Sequence, residues 1–249
     1  MKTKKTIHVS SSGNVLNFTF PKAWSELSQT QLRSVLVFLS VYSAANALVR
    51  IVCFFANLII VRKLEYGDFH CILIAEGGQD TITLSADEFT AMCDALEWVL
   101  EPGNTPVLLT EGRKSIDAML HGVPFETYIM LENLYQGFLM SKNKDAVVRM
   151  AEIIFEEDVA AVQPHERFGI VQWFTQVKSL FAREFPDFFR PLSGAPASVK
   201  EAMNAQIRAL TGGDVTKEQE VLAIDTWRAL EELNAKAREA EEFKKSIKK

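Results

Sequence analysis

Cysteine and histidine are scarce in this chain of 249 residues, which contains three cysteines and four histidines. An odd number of widely spaced cysteines does not fit a disulfide framework, and the histidines lack the spaced partners that a zinc site requires. We therefore expect no structural disulfide, no metal site, and a reducing compartment such as the cytoplasm. The residues concerned are Cys53, Cys71, Cys93, His8, His70, His121 and His165.

Motifs that commonly carry catalysis or bind nucleotides are also missing. The sequence has no G-x-S-x-G, G-x-G-x-x-G or H-E-x-x-H segment. His70 and Cys71 are adjacent on a predicted strand, where neighbouring side chains point to opposite faces. Gly212-Gly213-Asp214 precedes a predicted helix, but it lacks the lysine and hydroxyl of a phosphate-binding loop, and its aspartate would repel phosphate. We expect no catalytic, cofactor-binding or metal-binding residue, and no enzymatic activity.

An excess of positive charge is absent as well. Lysine and arginine number 27 against 32 aspartates and glutamates, so the formal net charge is −5. Such a chain has no general attraction to a phosphate backbone, and nucleic acid is not the expected partner. The alternative hypothesis is a DNA-associated factor whose end lysines contact phosphates: Lys2, Lys4, Lys5, Lys244, Lys245, Lys248 and Lys249.

Only one long apolar run is present, over residues 32–61, and Arg33 and Arg50 interrupt it. The stretch between the two arginines is shorter than the roughly 20 residues that span a bilayer. Arginines inside the apolar layer are costly. A membrane-associated hairpin at 32–61 is therefore a second alternative, and a membrane is not the expected partner. Residues 1–13 also lack the continuous apolar stretch of a secretory signal.

Alternating polar and apolar residues predict two β-hairpins in the first part of the chain. One joins Lys5–Ser10 to Asn14–Phe20, and the other joins Phe69–Ala75 to Thr81–Ser85. Glycines in the connecting segments supply the positive φ angles that tight turns need. We expect the two hairpins to share one sheet, and we predict one more strand at Pro106–Thr110.

Serines begin two of the predicted helices. Ser28 and Gln31 have the spacing of a capping box, in which the side chains satisfy free backbone N–H groups at the start of a helix. A helix from about Gln29 to Val41 follows. Ser85 has the same spacing to Glu88, and apolar residues then recur at helical intervals.

Apolar residues at helical spacing predict the remaining helices. One begins after Ser43 and runs to about Arg62, with Ile59 and Ile60 among its buried residues. The second half of the chain is expected to be helical throughout, with helices over about 128–138, 147–154, 164–185, 198–210 and 216–247.

The predicted last helix changes character along its length. Its first turns have an apolar packing face, whereas beyond Leu233 the apolar residues are mostly alanines, with Phe243 and Ile247 as exceptions. We expect this end to project from the body or to pack on a protein partner, with its apolar face laid in a groove. The predicted partner-binding residues are Trp227, Leu230, Leu233 and Phe243.

These elements predict an α+β fold that is predominantly helical. Small antiparallel hairpins pack beside a helical body, and a long C-terminal helix ends the chain. We expect a mixed body over residues 1–190 and a C-terminal helical segment over 191–249 that ends in a charged arm. Pro191–Pro196 is the predicted linker between them.

The chain also resembles a family of uncharacterised proteins from phages and prophages of Bacteroides-type bacteria, and the likeness covers most of its length. Proteins of this type look like members of structural or tail-assembly gene clusters. The resemblance implies a role in virion assembly, as a tail-assembly chaperone or a small structural component. Phage tail or virion proteins would then be partners, in the host cytoplasm or in the virion, and no catalytic residue is implied. Four segments carry the resemblance: FPKAWSELSQTQLR, ENLYQGFL, FAREFPDFFRP and MNAQIRALTGGDVTKEQEVLAIDTWRALEELNAKAREAEEF.

Overall fold

The structure is a computed structural model that describes residues 5–11, 14–190 and 199–247. It has the predicted α+β, predominantly helical fold with a long C-terminal helix. The chain forms two compact units, Met1–Gly103 with Pro164–Phe168, and Asn104–Gln163 with Gly169–Lys249. The chain therefore does not divide near residue 190, and its last helix belongs to the second unit. The predicted linker at 191–196 lies outside the described residues.

Two small antiparallel sheets lie in the first unit. Strands β1 (Lys5–Ser11) and β2 (Asn14–Phe20) pair with each other. Strands β3 (Leu58–Lys63), β4 (Phe69–Ala75) and β5 (Gly78–Leu84) form the other sheet in the order β3-β4-β5. Both predicted hairpins are confirmed, but the expectation of one shared sheet is wrong, because no ladder joins the two sets of strands in the described part of the chain.

The first unit also contains the helices α1 (Gln29–Val41), α2 (Ala44–Ala56) and α3 (Ala86–Leu96). Both predicted capping boxes are formed. At the start of α1 the backbone N–H of Ser28 donates to Oε1 of Gln31 at 3.0 Å, while Oγ of Ser28 accepts from the backbone N–H of Gln31 at 3.2 Å. Short 3-10 helices precede α1 and follow α3.

The prediction that the second helix runs to Arg62 is wrong beyond Ala56. Asn57 has left-handed backbone angles, φ 52° and ψ 44°, which end a helix. The next residues, Leu58 to Val61, are rich in β-branched side chains and continue as strand β3. Ile59, predicted to be buried in the helix, is exposed on that strand.

The second unit is helical. The predicted strand at Pro106–Thr110 is wrong, because the N–H of Val107 donates to Oε1 of Gln176 at 2.8 Å and 106–110 is irregular. The predicted last helix is broken, since the carbonyl of Ile224 accepts from the N–H of Phe125 at 2.8 Å. The helices are α4 (Phe125–Ser141), α5 (Lys144–Phe155), α6 (Pro164–Glu184, in this unit from Gly169), α7 (Val199–Thr211), α8 (Glu218–Ala223) and α9 (Thr226–Ile247).

An aromatic cluster forms the core of the second unit. Tyr128 of α4 contacts Phe174 and Phe181 of α6, with ring centroids 6.2 and 5.5 Å apart. Helix α9 adds Leu230 and Leu233 to the same cluster.

Among the residues that the structure describes, no helix combines the length and apolar composition needed to cross a bilayer.

Candidate interaction surfaces

Three of the four predicted partner-binding residues belong to the core of their own unit. Leu230 and Leu233 are buried. Trp227 is half-buried, its Nε1–H donates to the carbonyl of Met119 at 2.7 Å, and its ring packs edge-on against Phe181. Periodicity identified the packing face correctly, but it could not tell whether that face meets a partner or the chain itself. A partner could reach Leu230 and Leu233 only if the helix left its unit.

The start of α9 is tied to the segment that precedes α4. Thr226 is buried, and both its backbone N–H and its hydroxyl donate to the carbonyl of Val123, at 2.8 and 2.7 Å. Asp225 accepts from the N–H of Gly122 at 2.6 Å with one carboxylate oxygen, and from the N–H of Arg228 at 3.1 Å with the other. These bonds fix where the helix begins.

The middle of α9 is held by the turn after α6. Oδ1 of Asn234 accepts from the backbone N–H groups of Asp187 and Phe188, at 2.9 and 3.0 Å. Arg190 lies between two carboxylates, 2.7 Å from Asp187 and 3.6 Å from Glu241. The expectation that the helix projects beyond Leu233 is therefore corrected, because contacts with its own unit continue to Glu241.

Beyond Glu241 the helix presents an apolar pair to solvent. Phe243 is 66% exposed and Ile247 is 68% exposed. Residues four apart lie on the same face of a helix, so the two side chains form one small apolar surface. We call it the α9 tip. Of the predicted partner-binding residues, Phe243 is thus the most exposed.

Charged residues surround the α9 tip. Lys244 donates to Oε1 of Glu241 at 3.2 Å. This hydrogen bond, with the neighbouring positive charges, holds the pKa of the Glu241 carboxyl below its ordinary value.

Of the lysines in the DNA hypothesis, Lys5, Lys244 and Lys245 are exposed, and Lys2, Lys4, Lys248 and Lys249 lie outside the described residues.

A second apolar surface lies on the three-stranded sheet. The register pairs Ile59 with Ile72, and Ile74 follows on the same face of β4. Ile59 is 48% exposed and Ile74 is 44% exposed, whereas the opposite face of the sheet is buried through Cys71, Ile82 and Leu84. We call the residues Ile59, Ile72 and Ile74 the outer sheet face. Sequence reasoning missed it because it assigned Ile59 to a helix.

The three cysteines, distant in sequence, come close enough to interact electrostatically in the first unit. Burial, and then the neighbouring thiols Cys71 and Cys93, raise the pKa of Cys53 to about 11. Burial also raises the pKa of Cys71 and Cys93. The thiol form therefore dominates at neutral pH, and it is a poor nucleophile and metal ligand. No group of three or more metal-ligating side chains is found in the described ranges.

A shallow apolar groove lies between α4 and α5. It has a volume of about 360 Å³, and Met130, Leu134 and Ile153 provide its apolar wall. Arg149 and Glu152, three residues apart on α5, stand at its rim. The groove is wide open to solvent, and no ligand is assigned to it.

No protein family, no curated protein and no solved structure matches this chain.

Proposed function

We propose that this chain is a non-enzymatic interaction protein of a phage or prophage, acting in the host cytoplasm or the virion. It contributes to virion assembly as a tail-assembly chaperone or small structural component. It docks on a phage tail or virion protein through the α9 tip. We infer the docking site from the exposure of Phe243 and Ile247 at the end of a helix whose preceding turns are held in place.

The physical support for docking is preorganisation. A helix that is already formed and held in place loses little conformational entropy when its end enters a groove. Here Asn234 and Arg190 hold α9 as far as Glu241, so the α9 tip is presented at a defined position on its unit. Residues at i and i+4 are the anchors by which a helix is recognised in an apolar groove.

The support for the phage context is the resemblance in four segments of the sequence. The fourth segment runs from Met203 to Phe243 and so contains most of α9. An assembly factor needs surfaces for other proteins and no reactive centre, which is consistent with cysteine thiols that burial keeps protonated.

The test uses the full chain with Phe243→Asp and Ile247→Asp together, expressed in a host that carries the neighbouring phage genes. We expect capture of a tail or virion protein by the unchanged chain, and at least about tenfold weaker capture by the double variant, because two apolar anchors become charged. The control is Val215→Asp, which places one carboxylate on another exposed apolar residue.

Deletion of residues 215–249 is a less informative test. It removes Leu230 and Leu233 from the core, so loss of binding would accompany unfolding. Truncation after Glu241 keeps the core and the Arg190 contact. The proposal is rejected if the double variant and this truncation capture the same tail protein as well as the unchanged chain does.

A further inference from the structure

On strands β3 and β4 the outer side of the sheet is more apolar than a solvent-facing surface requires, whereas β5 places the polar residues Gln79, Thr81 and Thr83 on that side. In antiparallel sheets with one face in water, polar residues normally alternate with apolar ones. Strand β4 instead reads Phe-His-Cys-Ile-Leu-Ile-Ala, and β3 begins Leu-Ile-Ile-Val. Near-continuous apolar strands are typical of sheets that are covered on both faces. The inner face is already buried by the first unit, so the composition indicates a cover for the outer one.

The edge of the sheet formed by β3 does not favour edge-to-edge pairing. In the described part of the chain, β4 is the one strand that pairs with β3. The register shifts between Ile60 and Arg62, so β3 carries a bulge, and Arg62 and Lys63 follow it as exposed cations. Bulges and cations are common devices that prevent an edge strand from pairing with another chain. Contact through the outer sheet face would cover Ile59 and Ile74 without pairing at this edge.

Charges at the two ends of this face have opposite sign. Arg62 pairs with His70 in the ladder, which places it on the same face as Ile72 and Ile74. Glu76 lies in the turn directly after β4, at the other end of the strand, and is exposed. Lys63 and Asp80 pair with the inner-face residues Phe69 and Leu73 and thus belong to the other side.

We propose that two copies of this chain pack against each other through the outer sheet face. A two-fold axis with the strands of the copies antiparallel places Ile59, Ile72 and Ile74 against the same residues of the second copy. The same axis brings each Arg62 near the Glu76 of the other copy, so the charge pattern is complementary to itself. Such an isologous interface closes as a dimer. This inference is independent of the α9 tip.

Sedimentation equilibrium of the full chain tests the interface. We expect a dimer at micromolar concentration, and monomers for Ile59→Glu and for Ile74→Glu, because each would bury a carboxylate at the centre of the contact. The control Met140→Glu, at an exposed apolar residue of α4, should remain a dimer. Circular dichroism shows whether each variant is folded.

A reciprocal charge exchange tests the interface without substituting its apolar residues. Arg62→Glu alone and Glu76→Arg alone should each weaken the dimer by roughly tenfold, since two pairs are replaced by two repulsions. The double exchange should restore it to near its original strength. A monomeric unchanged chain, a dimer insensitive to Ile59→Glu, or single exchanges without effect would each overturn the proposal, as would a face that binds a different protein while the chain stays monomeric.

Discussion

The imidazole of His121 lies flat against the indole of Trp227, with ring centroids 4.6 Å apart and 6° between the ring planes. The same indole donates to the carbonyl of Met119, and Asp117 accepts from the N–H groups of Met119 and His121 at 2.9 and 3.0 Å. Trp227 therefore holds the segment before α4 against α9. A residue with the sequence features of a partner anchor is an internal clamp.

Replacement of Trp227 by phenylalanine tests this clamp. Trp227→Phe keeps an aromatic ring but leaves the carbonyl of Met119 without its donor, which should lower the free energy of unfolding by about 1–3 kcal/mol. His121→Ala should cost less, because the imidazole is largely exposed. Urea denaturation measures both values. Unchanged stability in Trp227→Phe would show that the clamp contributes nothing.

A second prediction concerns Asn234. Asn234→Ala removes the acceptor for two backbone N–H groups, those of Asp187 and Phe188, and should lower the free energy of unfolding by about 1–3 kcal/mol. Asn234→Asp keeps an oxygen acceptor in the same place and should cost clearly less. The comparison is made by urea denaturation at neutral pH. Equal losses in the two variants would mean that the acceptor is not what matters.

Asn57 offers a test of why α2 ends where it does. The left-handed backbone is strained for a β-branched residue, so Asn57→Val should cost about 1–2 kcal/mol of stability. Asn57→Gly should be close to neutral, because glycine adopts positive φ without a steric penalty. Thermal unfolding followed by circular dichroism separates the two. A valine variant as stable as the glycine variant contradicts this account.

The pKa of Cys53 predicts a loss of stability in alkaline solution. Folding favours the neutral thiol, since the pKa rises from its ordinary value of 9.0 to about 11 in the folded chain. The corresponding stabilisation is complete below pH 9 and is lost as the pH rises toward 11. The free energy of unfolding should therefore fall more steeply between pH 9 and pH 11 in the unchanged chain than in Cys53→Ala. If the free energy of unfolding falls equally steeply with pH in the two proteins, ionisation of Cys53 is not the cause of the loss.

Local signals in the sequence were sufficient for much of the fold. The capping box at Ser28 identified the first residue of α1, and the one at Ser85 did the same for α3. Both depend on hydrogen bonds between residues three positions apart, so no distant part of the chain is needed to recognise them. The hairpins were found for the same reason, because a turn and the strands beside it are close in sequence.

Features set by distant contacts could not be found in this way. The break before α9 depends on Ile224 and Thr226, whose bonds are to Phe125 and Val123, about a hundred positions earlier in the chain. The boundary at Asn57 was missed because Leu58 to Val61 continue the apolar run of α2, and such a run suits a buried helix as well as a strand. The outer sheet face was missed as a consequence.

The candidate docking site shows the same limit. Helical spacing identified Leu230 and Leu233 as apolar contacts of α9, and they are, but the contact is with the aromatic core of their own unit. Phe243 belonged to the same predicted set and is exposed. The difference is set by the contacts that hold α9 to its unit as far as Glu241, those of Asn234 and Arg190. These contacts involve the turn at 187–190, which is far from α9 in sequence.

Hydrogen–deuterium exchange along α9, with and without the captured tail protein, tests the central claim most directly. In the free chain we expect slow exchange through Glu241 and fast exchange over residues 242–247. On binding, residues 242–247 should become slow while 226–241 stay as they were. Faster exchange at Leu230 and Leu233 on binding would mean that the helix leaves its unit to dock, and no change at 242–247 would mean that the α9 tip is not the docking site.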